Sequence, residues 1–321
     1  MIYEFALDPE LVARWHDPRE WAIFREGFAP ETGRVGSAYP RKPKWRKAVV
    51  KAFHDAMPAA TGDSQSWRRL EVLLDKLAER MVERESSHPE LPKWLDRAVA
   101  EHRERPFHGI LSIGEANSVP AVITPDMLFS ERPPAAWAVP PNPAPPRTAQ
   151  GLAQAVAPLL NRCGEVIFVD PWFDPGKPRF LSSLQAMLGV LWGPGRCVGA
   201  PSAQLVLAES DRPNAPNAAC LLGRCLEKLP RILPRGQSVL VTVLRQRSGG
   251  EKVHNRYILT KLAGVSFGVG LDSADDGDTG QSDDLCRLSS EQLNKRWGQY
   301  VSARTSWFDV AAGPLEILSA R

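Results

Sequence analysis

Five of the chain's six histidines, His16, His54, His88, His102 and His108, precede residue 110, and His254 is the only one after it. Imidazole chemistry in the second half therefore has one candidate. A strand over residues 252–259 would bring Lys252, His254 and Arg256 onto one face, because side chains alternate along a strand. A cation, an imidazole and a guanidinium side by side could meet a phosphate: the imidazole as nucleophile or base, the guanidinium as a planar clamp on two oxygens. The second concentration of charge is RKPKWRKAVVK at 41–51, where Arg41, Lys42, Lys44, Arg46, Lys47 and Lys51 surround Trp45 with no acid among them. Such a run fits contact with a nucleic-acid backbone, Trp45 stacking on a base. Tyr39 and Trp45 would equally suit a protein interface, and a solvated helix face is the plain alternative.

Weaker candidates surround these two. Asp170, Trp172 and Asp174 follow an apolar run, where sites form at strand ends, yet Asp-Pro reads first as a turn. Asp272, Asp275, Asp276 and Asp278 lack the ligand order and closing Glu of a calcium loop and read as a loop. Five cysteines without a CxxC pair make neither a disulfide framework nor a zinc site and read as small buried hydrophobes. No metal and no cofactor is expected.

The elements that must hold these residues change character along the chain. Residues 64–86 place Trp67, Leu70, Leu73, Leu74, Leu77 and Met81 at helical steps, and further helices are expected over 9–15, 18–25, 44–57 and 91–103, with small strands at 108–113 and 121–124. Eight prolines between Pro125 and Pro146 exclude a helix or central strand and predict an extended connector. Beyond it strand and helix patterns alternate: strands at 164–173, 203–210, 238–246, 254–260 and 263–272, helices at 178–192, 215–233 and 289–303. The expected organisation is a mainly helical domain over 1–125, a Pro-rich linker over 126–149 and an α/β domain with a mixed sheet over 150–321.

His254-Asn255-Arg256, with Gly268 fourteen residues after the histidine, resembles a worn form of the phospholipase D superfamily pattern, His-x-Lys-x4-Asp-x6-Gly-Ser-x-Asn. GEVIFVDPWFDP at 164–175 and LSSEQLNKRWGQYV at 288–301 are similar to the phospholipase D-like C-terminal domain of MIT-domain proteins and its bacterial relatives in conflict and antiphage systems. The resemblance covers residues 150–310; active members of the superfamily share a phosphohistidine mechanism between two copies of the motif, so an active enzyme here would have to be a homodimer. Arg256 takes the lysine position, but Lys261 stands where an orienting aspartate belongs, and Val269 and Leu271 replace the hydroxyl residue and the asparagine. A cation at 261 lowers imidazole basicity and cannot orient the ring. What the resemblance implies is thus a component of a bacterial defence-type assembly. Its degenerate domain would bind a partner protein or a DNA or RNA phosphate backbone through Lys252 and Arg256. The alternative is a metal-independent nuclease acting through His254 and Arg256.

A length of 321 residues allows about two domains. The formal net charge of +3 argues neither for nor against a polyanionic partner, so local clustering must decide. No apolar run is long enough for a membrane span. Glu4, Asp8 and Glu10 stand where a secretory signal would be basic and then apolar, so cytoplasm is expected.

Overall fold

A computed structural model describes the chain apart from residues 61, 85–87, 115–118, 129, 140–141, 197–198, 211, 213–214, 275–279, 303 and 321. The protein is α/β, with one parallel and one mixed sheet, and forms two compact units, residues 2–140 and residues 141–321.

The first unit corrects the expectation of a mainly helical domain. The helices are present: α1 (Pro9–Arg14), α2 (Trp21–Gly27), α3 (Lys42–Ala56), α4 (Gln65–Ala78), α5 (Trp94–Glu104) and the short α6 (Pro125–Leu128). They flank a sheet of five parallel strands, β1 (Tyr3–Leu7), β2 (Arg34–Ala38), β3 (Val82–Glu83), β4 (Gly109–Leu111) and β5 (Val122–Ile123), in the order β3-β2-β1-β4-β5. These strands are short and covered on both faces, so they carry no alternating pattern. In β1, Phe5, Ala6 and Leu7 are all buried, and Glu4 is buried too because Arg84 bonds both of its carboxylate oxygens at 2.7 and 2.5 Å. In β2, small residues allow close packing: a Cβ on Gly36 would stand 2.8 Å from Leu7 Cδ1.

Helix α3 shows how the unit is assembled. Trp45, Val49 and Phe53, four residues apart, form its buried stripe, and the Trp45 indole donates to the Leu7 carbonyl at 2.7 Å. The Pro-rich stretch is not extended throughout, since it holds α6 and a 3-10 turn at Ala135–Trp137. Burial decides this: Trp137 packs edge-on against Phe5 and Phe28, and Arg34 lies over its ring.

The second unit has a seven-stranded sheet. Strands β6 (Glu165–Val169), β7 (Ser202–Ala208) and β8 (Ser238–Gln246) are parallel; β9 (Arg256–Leu259), β10 (Gly264–Phe267) and β11 (Cys286–Arg287) extend it in antiparallel fashion beyond β6, and β12 (Phe308–Leu318) pairs antiparallel with β8. Helix α7 (Ala149–Leu160) packs on α8 (Pro178–Leu191), which connects β6 to β7; α9 (Ala218–Ile232) connects β7 to β8, and α10 (Ser290–Trp297) follows β11. Ile167, Val169, Val206, Tyr257 and Leu259 cluster with Tyr300 and Phe308, while the alternate residues Val166 and Phe168 are buried as well. Strand β12 had no counterpart in the sequence reading. Its pairing with β8 shifts register after Val310 and again after Ala312.

Candidate functional site

Two places bring charged side chains to a sheet edge. The first lies in residues 2–140, at the C-terminal ends of the parallel strands. The chain leaves β1 toward β2 and β3 and then returns to β4 on the other side, so the connections diverge between β1 and β4. Divergence leaves a crevice there, the usual ligand position in an open parallel sheet. Its floor is Asp8, just after β1, and beside it is Ser112, just after β4. The Ser112 hydroxyl donates to Asp8 Oδ2 at 2.5 Å and Asp8 Oδ1 accepts from the Glu10 amide at 3.0 Å, so both carboxylate oxygens are used.

Above this floor opens a cavity of about 850 Å³. Helix α3 turns toward it the face that does not carry Trp45: Arg41, Lys44, Ala48, Lys51, Ala52 and Asp55 line one wall. Arg14 and His16 come from the α1 end, Trp94 and Arg97 from α5, and Ile113 from the segment after β4. Five cations thus share the cavity with three acids, Asp8, Glu10 and Asp55. Lys51 and Asp55 pair at 2.8 Å, and with five cations to three carboxylates the balance of the lining is positive. His16 holds Nδ1 2.7 Å from the Ala13 carbonyl, which favours the Nδ1–H tautomer and leaves Nε2 as acceptor.

The basic run therefore divides by helical geometry. Arg41, Lys44 and Lys51 line the cavity. Lys42 donates to the Ala78 carbonyl at the end of α4 (3.0 Å), Arg46 pairs with Asp75 (3.0 Å), and Lys47 is exposed. Trp45, expected to be available for stacking, is 2% exposed and bonded to the central strand, and Tyr39 is buried as well. Neither offers a ring to a partner. The tryptophan at the cavity is Trp94, missed in the sequence together with Arg14 and Arg97. Their common signal was positional: each belongs to an element following a parallel strand, which is invisible until β1 and β3 are identified as strands.

The second place is the edge of the mixed sheet where β6 ends and β9 begins. The expected strand over 252–259 begins only at Arg256, so Lys252, His254 and Arg256 do not share a strand face. Residues 252–255 have no ladder to join. β6 ends before Asp170 and Pro171, which has no amide to give, and β10 ends at Phe267, opposite Arg256. Upstream, Arg296 (2.8 Å) and Gln299 (2.6 Å) hold the Glu251 carboxylate. Lys252 and His254 are exposed, and His254 Nδ1 stands 3.3 Å from the Lys252 carbonyl. Among the described residues no carboxylate lies within ion-pair distance of His254.

Arg256 is directed inward. It donates to the Gly268 carbonyl at 2.8 Å, and its Nε is 4.0 Å from Asp170. Asp170 is fully buried and accepts from the Trp172 amide (3.0 Å) and the Leu271 amide (2.8 Å). Burial pushes its carboxyl up to about 6, and the two amides and Arg256 offset that only in part. Gly270 passes so close, at a φ of 77°, that a Cβ there would meet both Asp170 and Arg256. Asp272 is held by Arg147 (3.1 Å) and Arg179 (2.9 Å). Along the same edge Asp174 pairs with Arg224 (3.1 Å) and Glu209 with Arg245 (2.6 Å). The turn reading of Asp170 and Asp174 agrees with these bonds, since Asp174 also accepts from the Gly176 amide.

Set against family models and against curated proteins, the sequence matches none. Function is therefore read from the two edges themselves.

Among the described residues no three His, Cys, Asp or Glu side chains converge to hold a metal ion. Asp275, Asp276 and Asp278 lie outside the described residues, and Asp272 is engaged by its two arginines. Of the cysteines, Cys163 and Cys225 are buried as expected, Cys220 and Cys286 are exposed, and Cys197 lies outside the described residues. Among the described residues no helix is long and apolar enough to cross a membrane.

Proposed function

We propose that the chain is a nucleic-acid-binding protein whose phosphate contacts lie in the crevice of residues 2–140. One observation carries this reading: Arg14, Arg41, Lys44, Lys51 and Arg97 line a single cavity at the point where the parallel strand order reverses. Clustered cations release counterions when they meet a polyanion, and a hollow between elements fixes the register of the contact. In residues 150–310 the phospholipase D-like resemblance supports a degenerate member of that superfamily. Arg256 is turned onto Gly268 and Asp170, and His254 stands at the surface, an arrangement that favours a binding or scaffolding role over phosphohistidine chemistry. Membership of a multiprotein bacterial defence assembly rests on that resemblance alone.

The test is equilibrium binding of the full chain to labelled oligonucleotides over a salt series. Affinity should fall steeply with salt. Exchanging Arg14 and Lys44 for Glu together should abolish most of it and flatten the salt slope by about one unit per lost phosphate contact. Binding that ignores both salt and these substitutions overturns the proposal.

A further inference from the structure

Resting on that reading, we infer that the crevice takes an unpaired nucleotide of a single strand, its base against the Trp94 ring, rather than the outer face of a duplex. The first reason is shape. The cations rim a hollow of about 850 Å³: Arg41 and Lys44, at the start of α3, are exposed, Arg97 on α5 is half-buried, and Trp94 and Ile113 share the lining. A duplex is a stiff convex cylinder that presents its phosphates outward. A flexible strand can dip one nucleotide into the hollow while its neighbouring phosphates meet the exposed cations of the rim.

The second reason is the aromatic. Trp94 packs partly on the core that holds Tyr39 and Ala98, and its indole nitrogen donates to the Tyr39 carbonyl at 3.0 Å, so what it presents to the cavity is the remaining ring surface. Ring surface recognises a base only when that base is unstacked, the usual mode for single strands. Ile113, Pro40 and Ala52 extend the same apolar lining, which phosphate contacts alone do not require.

The third reason is the mixture of signs. Glu10 would repel a continuous backbone laid across the mouth, whereas its carboxylate can accept from the amino group of a base turned inward. Arg97 adds a donor. Its Nη1 bonds the Leu91 carbonyl at 3.3 Å, while its buried Nε finds no acceptor among the described residues.

The experiment is fluorescence anisotropy of the full chain with three probes of about 12 nucleotides, a length within single-strand site sizes. The probes are a single strand of mixed sequence, the same strand annealed to its complement, and the same backbone with abasic sites; each is made as DNA, with an RNA single strand alongside to separate the two chemistries. The single strand should bind about tenfold more tightly than the duplex or the abasic strand. Trp94→Ala should remove most of that advantage, while Trp94→Phe, which keeps a ring, should retain it. Duplex binding as tight as single-strand binding by the unmodified chain overturns the inference without depending on any variant's folding. So does a folded Trp94→Ala chain that still prefers the single strand. If the Arg14→Glu, Lys44→Glu chain loses all three probes equally while the wild type does not discriminate, phosphate binding stands and only the single-strand inference fails. If that chain binds like the wild type, both fail.

Discussion

The two sheet edges use the same residue types to different ends. On the mixed sheet the charges satisfy each other: Asp272 with Arg147 and Arg179, Asp174 with Arg224, Glu209 with Arg245, and Asp170 with two amides beside Arg256. The Asp170 and Asp272 contacts tie the segment after β10 to the end of β6 and to α8, and the other two pairs join the loop after β6 to α9 and the end of β7 to β8. On the parallel sheet Asp8 accepts from Ser112, Lys51 pairs with Asp55 within α3, and five cations share the hollow with three carboxylates. A row of cations is a clasp where carboxylates match it, and on our proposal a ligand site where they are outnumbered. The distinction depends on pairing, which charge counting along a sequence does not see.

The comparison can be broken most directly by charge reversal. Arg14→Glu with Lys44→Glu should lower oligonucleotide affinity about a hundredfold at moderate salt, whereas Lys252→Ala with Arg256→Ala should leave it within about twofold. The opposite ranking in a binding titration would move the site to the mixed sheet.

The next effect is in stability against pH. Asp170 has a folded-state carboxyl near 6 against an ordinary value of 3.8, so between these values the native state holds a proton that the unfolded chain has lost. Its contribution is fully present below about pH 4 and is lost as pH rises through 6, amounting to about 2–3 kcal/mol. Denaturant melts from pH 4 to 7 should show this fall, and Asp170→Asn should flatten it. An unchanged profile in the variant would assign the slope to other groups.

A smaller change is expected from Asp272→Ala, which removes the carboxylate that Arg147 and Arg179 share. It should destabilise residues 141–321 by about 1–2 kcal/mol in chemical denaturation and leave nucleic-acid affinity unaltered. A loss of affinity there would show the clasp to be part of a binding surface. Last, His254→Ala should change neither affinity nor stability by a measurable amount. Chelator-resistant cleavage of an oligonucleotide that this substitution abolishes would restore the phosphodiesterase reading.

Much of the second unit was legible because its strands are bounded by turns and its helices are amphipathic: GEVIFV, AQLVLA and SVLVTVLRQ all emerged as strands. In the first unit β1 and β2 were not. Glu4 disguises β1 until its partner Arg84, eighty positions away, is seen beside it, and β2 is written in Gly, Ser and Ala, which carry little strand preference. Without these strands there was no sheet edge and hence no crevice. The basic run of α3 was visible, but which of its residues face the cavity follows from the stripe of Trp45, Val49 and Phe53, and that stripe also removes Trp45 from any role at the surface. Nothing in the sequence indicated that Arg256 would turn inward, because its acceptor is the backbone carbonyl of Gly268.

The outermost strand of the mixed sheet has a consequence for crowded solutions. A straight eleven-residue border of free amides and carbonyls would invite other chains to add on and propagate the sheet. Pro314 contributes no amide, and the breaks after Val310 and Ala312 throw the following residues out of step, so an incoming strand meets only short stretches it can match. The border is built to stop growth, and concentrated protein should resist fibre formation even though Leu318 and Val310 lie open on it.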